Sequence, residues 1–241
     1  MTLTPGPCPD TDRPCSPPQD TGPRRTAPPS LPSTIEAILF DMDDTLVDSE
    51  RAWIAAADRL WAEAGSRNRA PVIPGGTVDD LVDAHLAEFA DADQAAATGR
   101  LRALLDEELG RLMRPMPGAV DLLERLDPAL PIAVASNSPS AVVQRTVAAL
   151  GWSDRLSAAL GAEDVAQPKP APDIYLEAAR RCGAAIDRCV VVEDSPMGAR
   201  AALDAGAFLI TIGLPSTGHV NVSSLCDELI TSWNPRTPRE R

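Results

Sequence analysis

The stretch Ile38–Glu50, ILFDMDDTLVDSE, sets five acidic residues and a threonine directly behind an apolar run. Asp41, Asp43 and Asp44 fall where a strand should be leaving a core. Carboxylates crowded at that spacing repel one another, and each is costly to bury, so the cluster calls for a cation. Other polar groups are placed in the same way. Ser136 and Asn137 follow PIAVA, Glu193, Asp194 and Ser195 follow CVVV, and Lys169 sits in QPKPAPD ahead of a helical pattern. Carboxylates, one lysine and small hydroxyl or amide donors are the parts needed for a hard divalent cation and a phosphoryl group. Oxygen ligands suit Mg²⁺, while donors and a point charge suit phosphate oxygens.

Such parts work together only if a fold brings them to one place. The runs Glu36–Asp41, Pro131–Ser136, Cys189–Asp194 and Ala207–Gly213 are too short and too uniformly apolar for surface helices, and read as strands buried on both faces. A fifth, weaker strand is expected near Leu156–Leu160. Helical patterns at Ser140–Leu150, Asp173–Cys182 and Pro196–Ala205 are each closed by a glycine. This alternation predicts an α/β fold with a Rossmann-like, doubly wound parallel sheet, whose functional groups lie beyond the carboxyl ends of the strands.

One connection breaks the rhythm. Between about Ser49 and Arg114 only Ala- and Leu-rich helical patterns occur, which predicts an all-helical cap subdomain over residues 49–115 inserted into a core of residues 35–48 and 116–233. Residues 1–34 hold ten prolines and read as a disordered tail, and 234–241 as a short basic one.

The chain of 241 residues is 44% apolar, enough for a core, and its net charge of −13 argues against nucleic acid or an anionic membrane as a partner. Five scattered cysteines without a CxxC pair favour neither a disulfide framework nor a zinc site. No apolar stretch approaches the roughly 18 residues of a membrane span, and no leader pattern is seen. These features lead to the expectation of a cytoplasmic protein acting on a small molecule; its oligomeric state is left open, with a monomer favoured.

Taken singly, each motif has an ordinary reading. A DxD is commonly a surface turn, Ser-Asn an N-cap, and a lysine between prolines a solvated loop residue. In this order, each at a strand's exit, they resemble the haloacid dehalogenase superfamily. The resemblance is to phosphatases with a helical cap after the first strand, the group of phosphoglycolate phosphatases and β-phosphoglucomutase. It covers about Ile35–Ile230 and rests on DMDDT, ASN, PKPAPD and VVEDS.

The resemblance implies a Mg²⁺-dependent phosphomonoester hydrolase acting on a small phosphorylated metabolite, a sugar phosphate or phosphoglycolate-like. By motif, Asp41 is the nucleophile and Asp43 the general acid/base, with Thr45 positioning Asp43. Asp41, Asp194 and the carbonyl of Asp43 would hold the metal with support from Glu193, and Ser136, Asn137 and Lys169 the phosphoryl group. Specificity is expected from the cap, with Arg51, Trp53, Gly75, Gly76 and Thr77 as candidates.

Two departures stand out. Asp44 replaces a common glycine, and Trp53 stands where the phosphomutase branch has a histidine, which favours hydrolysis over mutase activity. Beyond the mutase, the alternatives weighed are a dehalogenase, disfavoured by Asp43 and the Glu193-Asp194 pair, and a non-catalytic phosphate-binding or regulatory module.

Overall fold

The computed structural model describes residues 30–214 and 218–237. Strand β1 (Ala37–Phe40) leads into two short strands, β2 (Val47–Asp48) and β3 (Arg114–Pro115), between which the cap helices α1 (Glu50–Glu63), α2 (Val78–Glu88) and α3 (Gln94–Leu112) are inserted. The chain then runs through α4 (Ala119–Arg125), β4 (Ile132–Ala135), α5 (Ser140–Ala149), β5 (Ala158–Leu160), α6 (Asp173–Arg181), β6 (Cys189–Glu193), α7 (Pro196–Ala205), β7 (Phe208–Ile212), β8 (Val220–Val222) and α8 (Glu228–Ser232).

Among the described residues six strands form the main sheet, in the order β5-β4-β1-β6-β7-β8, all parallel. The chain leaves central β1 toward β4 and β5, then returns to build β6, β7 and β8 on the other side. The carboxyl end of β1 is therefore a topological switch point, the place where such sheets open a crevice.

The alternation within each strand explains the two layers. Ile38 and Phe40 of β1, with Ile132, Val134, Val190, Val192 and Ile210, face α4, α5 and α8. Ala37 and Leu39, with Ala133, Ala135 and Val191, face α6 and α7, whose own contacts are largely alanines. Small side chains on that face let α6 and α7 approach the sheet closely. Both faces are buried, as the unbroken apolar runs require.

The cap has its own core, in which Trp61 and Leu101, Leu104 and Leu105 are fully buried. Its two connections pair antiparallel, Val47 opposite Pro115 and Asp48 opposite Arg114. Ion pairs between Arg102 and Glu163, and between Arg145 and Asp106, tie the cap to the core.

Both expected tails begin differently at their inner edges. Ser33 and Thr34, assigned to the first tail, join Arg236 of the second in a parallel bridge, with Ile35 N–H donating to Arg236 at 3.0 Å and Arg236 N–H to Ser33 at 3.1 Å. Trp233 is buried beside them and its indole donates to the Pro32 carbonyl at 2.8 Å. A large aromatic anchor and paired backbone groups offset the ordering entropy that a polar composition alone would not. Residues 1–29 and 238–241 lie outside the described residues. Among the described residues no helix is long and apolar enough to cross a membrane.

Trp61 fills the centre of the cap and its indole N–H donates to Glu88 at 2.8 Å. Trp61→Ala is expected to cost about 3–5 kcal/mol of folding stability, read as a lowered midpoint in urea denaturation followed by circular dichroism.

Candidate active site

Asp41 directly follows β1, and its N–H extends the β-ladder to Val192 at 3.0 Å. The edge of the sheet therefore fixes its position. The Lys169 ammonium lies 2.5 Å from Asp41 Oδ1 and 2.7 Å from Glu193 Oε1, with about 1% of its side chain exposed. Burial works against this ammonium, but Asp41 and Glu193 outweigh it and hold the lysine above its ordinary pKa.

Glu193, at the end of β6, is wholly buried. Its Oε1 also accepts the Tyr175 hydroxyl at 2.8 Å, and its Oε2 accepts the N–H of Asp194, the N–H of Ser195 and the Ser195 hydroxyl. Both oxygens are thus engaged by protein donors, so Glu193 serves as the fixed support of the cluster.

Asp41, Glu193 and Asp194 can bring one carboxylate oxygen each within 4.8 Å of one another. Three carboxylates face one ammonium there. Burial first, and then the neighbouring acids Glu193 and Asp44, push Asp194 up to about 7; burial, with Glu193, Asp194 and Asp43 nearby, holds Asp41 well above the usual carboxylate range against the pull of Lys169. A buried, all-oxygen donor set with excess negative charge fits a hard divalent cation, which would relieve this penalty.

Asp43 sits at the base of the cap connection. Its Oδ1 accepts the Ser49 hydroxyl at 2.6 Å and the Trp53 indole at 3.2 Å; its Oδ2 accepts Ser136 at 2.7 Å and Ser138 at 2.8 Å. Four donors from β2–α1 and from the loop after β4 therefore set its orientation.

Several sequence-based expectations change here. Thr45 does not hold Asp43: its hydroxyl donates to Asp194 Oδ1 at 3.0 Å, because the tight turn after Asp43 carries it beneath the acid behind β6. Ser136 is fully buried and its hydroxyl is directed at Asp43 rather than into the open cavity. Asn137 faces the cavity, yet its amide links backbone to backbone. Nδ2 donates to the Gly75 and Lys169 carbonyls, and Oδ1 accepts the Lys169 N–H at 2.8 Å.

Among the cap candidates, Trp53, Gly75, Gly76 and Thr77 line the cavity but Arg51 does not; it lies on the exposed side of α1. Thr77 is occupied as the N-cap of α2 in a reciprocal capping box with Asp80. Gly75 has φ +72, and an added Cβ would stand 2.8 Å from the Ser195 hydroxyl. That close approach of cap loop to core explains the glycine.

Asp44 is the residue in DMDDT whose role sequence reasoning passed over. It adopts φ +59, a left-handed conformation that Asp tolerates and glycine prefers. Its carboxylate accepts the N–H groups of Ser49 and Glu50 and so caps α1. Burial pushes it up to about 6. Ser49, Ser138, Tyr175 and Gly198 were also missed. Of these only Gly198 carried a local signal, a glycine inside the first turn of a helix.

A model of the haloacid dehalogenase-like hydrolase family matches residues 35–206. The bifunctional riboflavin kinase/FMN phosphatase of Arabidopsis thaliana is 29% identical over 84% of this chain, which spans 55% of that longer protein. Hexitol phosphatase A of Escherichia coli is 33% identical over 75% of this chain and 84% of its own length. The crystal structure of CbbY from Rhodobacter sphaeroides in complex with phosphate shares the fold, with a TM-score of 0.66 and 24% identity over 79% of this chain and 95% of that one.

An added Cβ at Gly198 would fall 1.5 Å from Glu193 Oε1. Gly198→Ala is therefore expected to displace the supporting carboxylate and to weaken binding of a divalent cation at this cluster by about 10–100-fold, as measured by isothermal titration calorimetry with Mg²⁺ as the probe.

Proposed function

Because the chain belongs to the haloacid dehalogenase-like hydrolases and stands among their phosphatases, we propose that it hydrolyses a small phosphomonoester through a phosphorylated Asp41, with Mg²⁺ as cofactor. The observation that carries this reading is the placement of Asp41. Its carboxylate opens into a cavity of about 280 Å³, 2.5 Å from a buried lysine and within one carboxylate cluster with Asp194, and Asp43 lines the same cavity.

Asp41 needs no general base to become a nucleophile: a carboxylate is ordinarily ionised near neutrality, and Lys169 with a bound cation would offset the burial and crowding that otherwise favour its protonated form. Its obstacle is repulsion from an anionic phosphate. Lys169 offsets part of that charge, and a divalent cation held by Asp41, Asp194 and the Asp43 carbonyl would supply the rest. Asn137 keeps the Lys169 loop and the cap loop in register around the phosphoryl group.

An Asp41 oxygen bonds to phosphorus while the bond from phosphorus to the alcohol oxygen breaks. Asp43 gives its proton to the departing alkoxide, which leaves as a neutral alcohol. Asp43, now a carboxylate, takes a proton from water as that water's oxygen bonds to phosphorus and the aspartyl bond breaks. Inorganic phosphate leaves, and Asp41 is restored. Thr45 acts on Asp194, steadying a cation ligand.

Hydrolysis rather than transfer to a second hydroxyl agrees with Trp53 at the site's edge, where an indole N–H donates to Asp43. The relatives' names, an FMN phosphatase and a hexitol phosphatase, differ widely in the alcohol released. Membership in the family therefore leaves the alcohol open, with sugar phosphates and phosphoglycolate-like molecules as the starting panel.

Wild-type protein with Mg²⁺ is expected to hydrolyse acetyl phosphate and p-nitrophenyl phosphate, and EDTA to abolish both activities. Asp41→Asn should remove turnover and also the acid-stable radiolabel left on the protein after a quench during turnover of ³²P-acetyl phosphate. Asp43→Ala is expected to slow alkyl phosphate hydrolysis by about 10²–10⁴-fold. Wild-type turnover with no label on the protein would reject the covalent route.

A further inference from the structure

The cavity has two unlike halves. Its floor, from the core, is ionic and contains Asp41, Asp43, Lys169 and Asp194. Its roof, from the cap, is apolar: Trp53, Ile54 and Ala57 of α1, Val72 and Ile73 of the following loop, and Leu81 of α2. Val72 is 58% exposed, the most exposed of the large hydrophobic side chains among the described residues, and it stands at the rim of this cavity.

What the roof lacks is as informative. Among the described residues lining the cavity Lys169 is the only Lys or Arg, and its ammonium is already held between Asp41 and Glu193. The charged side chain that the cap contributes is Glu50, beside Asp44 of the core. The Thr77 hydroxyl is committed to the Asp80 carboxylate. A carboxylate or second phosphate on the substrate would meet anions and no free cation. A polyol could offer hydroxyls to Glu50 and Asp44 on one side, but those turned toward Ile54, Ile73 and Leu81 would lie against hydrocarbon, where an unmade hydrogen bond is costly.

Resting on the phosphatase reading above, we infer that the substrate is the monophosphate of an uncharged, largely apolar alcohol, alkyl or aryl, with no carboxylate and few hydroxyls. The phosphate goes to the ionic floor and the hydrocarbon lies against Trp53, Ile54, Ile73 and Leu81, covering Val72. Sugar phosphates and phosphoglycolate are then poor substrates, although the same floor could transfer their phosphoryl groups.

The test uses the full chain with Mg²⁺ and substrates that all release an alkoxide: ethyl, butyl and benzyl phosphate against phosphoglycolate, glycerol 3-phosphate and fructose 1-phosphate. Acetyl phosphate, too small to need the roof, reports on the floor alone. Burying one methylene contributes about a three- to fourfold gain. The expected result is therefore a rise in kcat/KM of that order per methylene from ethyl to butyl phosphate, carried by KM. Benzyl phosphate should exceed phosphoglycolate and fructose 1-phosphate by at least about tenfold. Val72→Lys, at an exposed position, is expected to shift the ratio of phosphoglycolate to benzyl phosphate by about tenfold toward the acid.

If acetyl phosphate is hydrolysed while phosphoglycolate or fructose 1-phosphate outruns benzyl phosphate, the substrate class is wrong and the phosphatase reading stands. If acetyl phosphate is not hydrolysed, the phosphatase reading fails. The roof is then judged by calorimetry with benzylphosphonate and phosphonoacetate in Mg²⁺. Tighter benzylphosphonate binding supports the apolar roof, and equal or tighter phosphonoacetate binding overturns it.

Discussion

The buried contact of Lys169 with Asp41 and Glu193 is the interaction on which the rest of the site depends. An ammonium with almost no exposure is tolerable only between carboxylates, and those carboxylates only beside a cation. Removing one partner of such a buried set typically costs about 3–5 kcal/mol, because the others are left uncompensated. The sheet delivers the two acids side by side: Phe40 pairs with Val192 in adjacent parallel strands, so Asp41 and Glu193 emerge together. The lysine comes from outside the sheet, on the segment before α6. Its place is fixed by the Asn137 amide on its backbone and by the Tyr175 ring, whose centroid is 4.9 Å from the ammonium.

This cluster constrains helices far from any substrate. Glu193 must accept five donors in a small volume, so α7 approaches its carboxylate at a glycine, Gly198, where no Cβ fits. Ser195 both donates to Glu193 and caps α7 by accepting the Gly198 N–H at 3.0 Å. The start of the helix and the support of the acid are thus one hydrogen-bonded unit. On the cap side, Asn137 joins the Lys169 loop to the Gly75 carbonyl, so the placement of the lysine and of the cap loop are linked through one amide.

Much of the core was legible because strands buried on both faces leave unbroken apolar runs. β1, β4, β6 and β7, and even the weak β5, fall where those runs predicted. β8 was not legible: it is three residues with an exposed Asn221 at its centre, and only pairing with β7 makes it a strand. The acids and the lysine were legible as a set, since each follows a strand or opens a helix. Their hydrogen bonds were not. Thr45 faces Asp194, 149 residues away, and Ser136 and Ser138 reach Asp43 from more than ninety residues on. Residue type announces a donor; only the register of the folded elements decides which acceptor it meets. For the same reason Arg51 and Trp53 were equal candidates among the cap residues, when the helical period turns Arg51 away from the cavity and Trp53 toward it.

The division of labour between core and cap follows from where charge can be stabilised. Strand ends at a switch point supply backbone N–H groups, helix termini and neighbouring polar side chains, so a core can hold several acids and a lysine out of water. The cap is built from three amphipathic helices and has no comparable reserve. Several of its charged groups pair with one another away from the cavity, as Arg59 does with exposed Glu107 and buried Glu108 and Arg100 with Glu63. The part that roofs the cavity is mainly indole, aliphatic and proline surface, with Glu50 at its edge. A net charge of −13 therefore does not oppose binding of a phosphate. Positive charge is needed only within a few ångströms of phosphorus, while the hydrocarbon roof lowers the local dielectric and makes each charge there count for more.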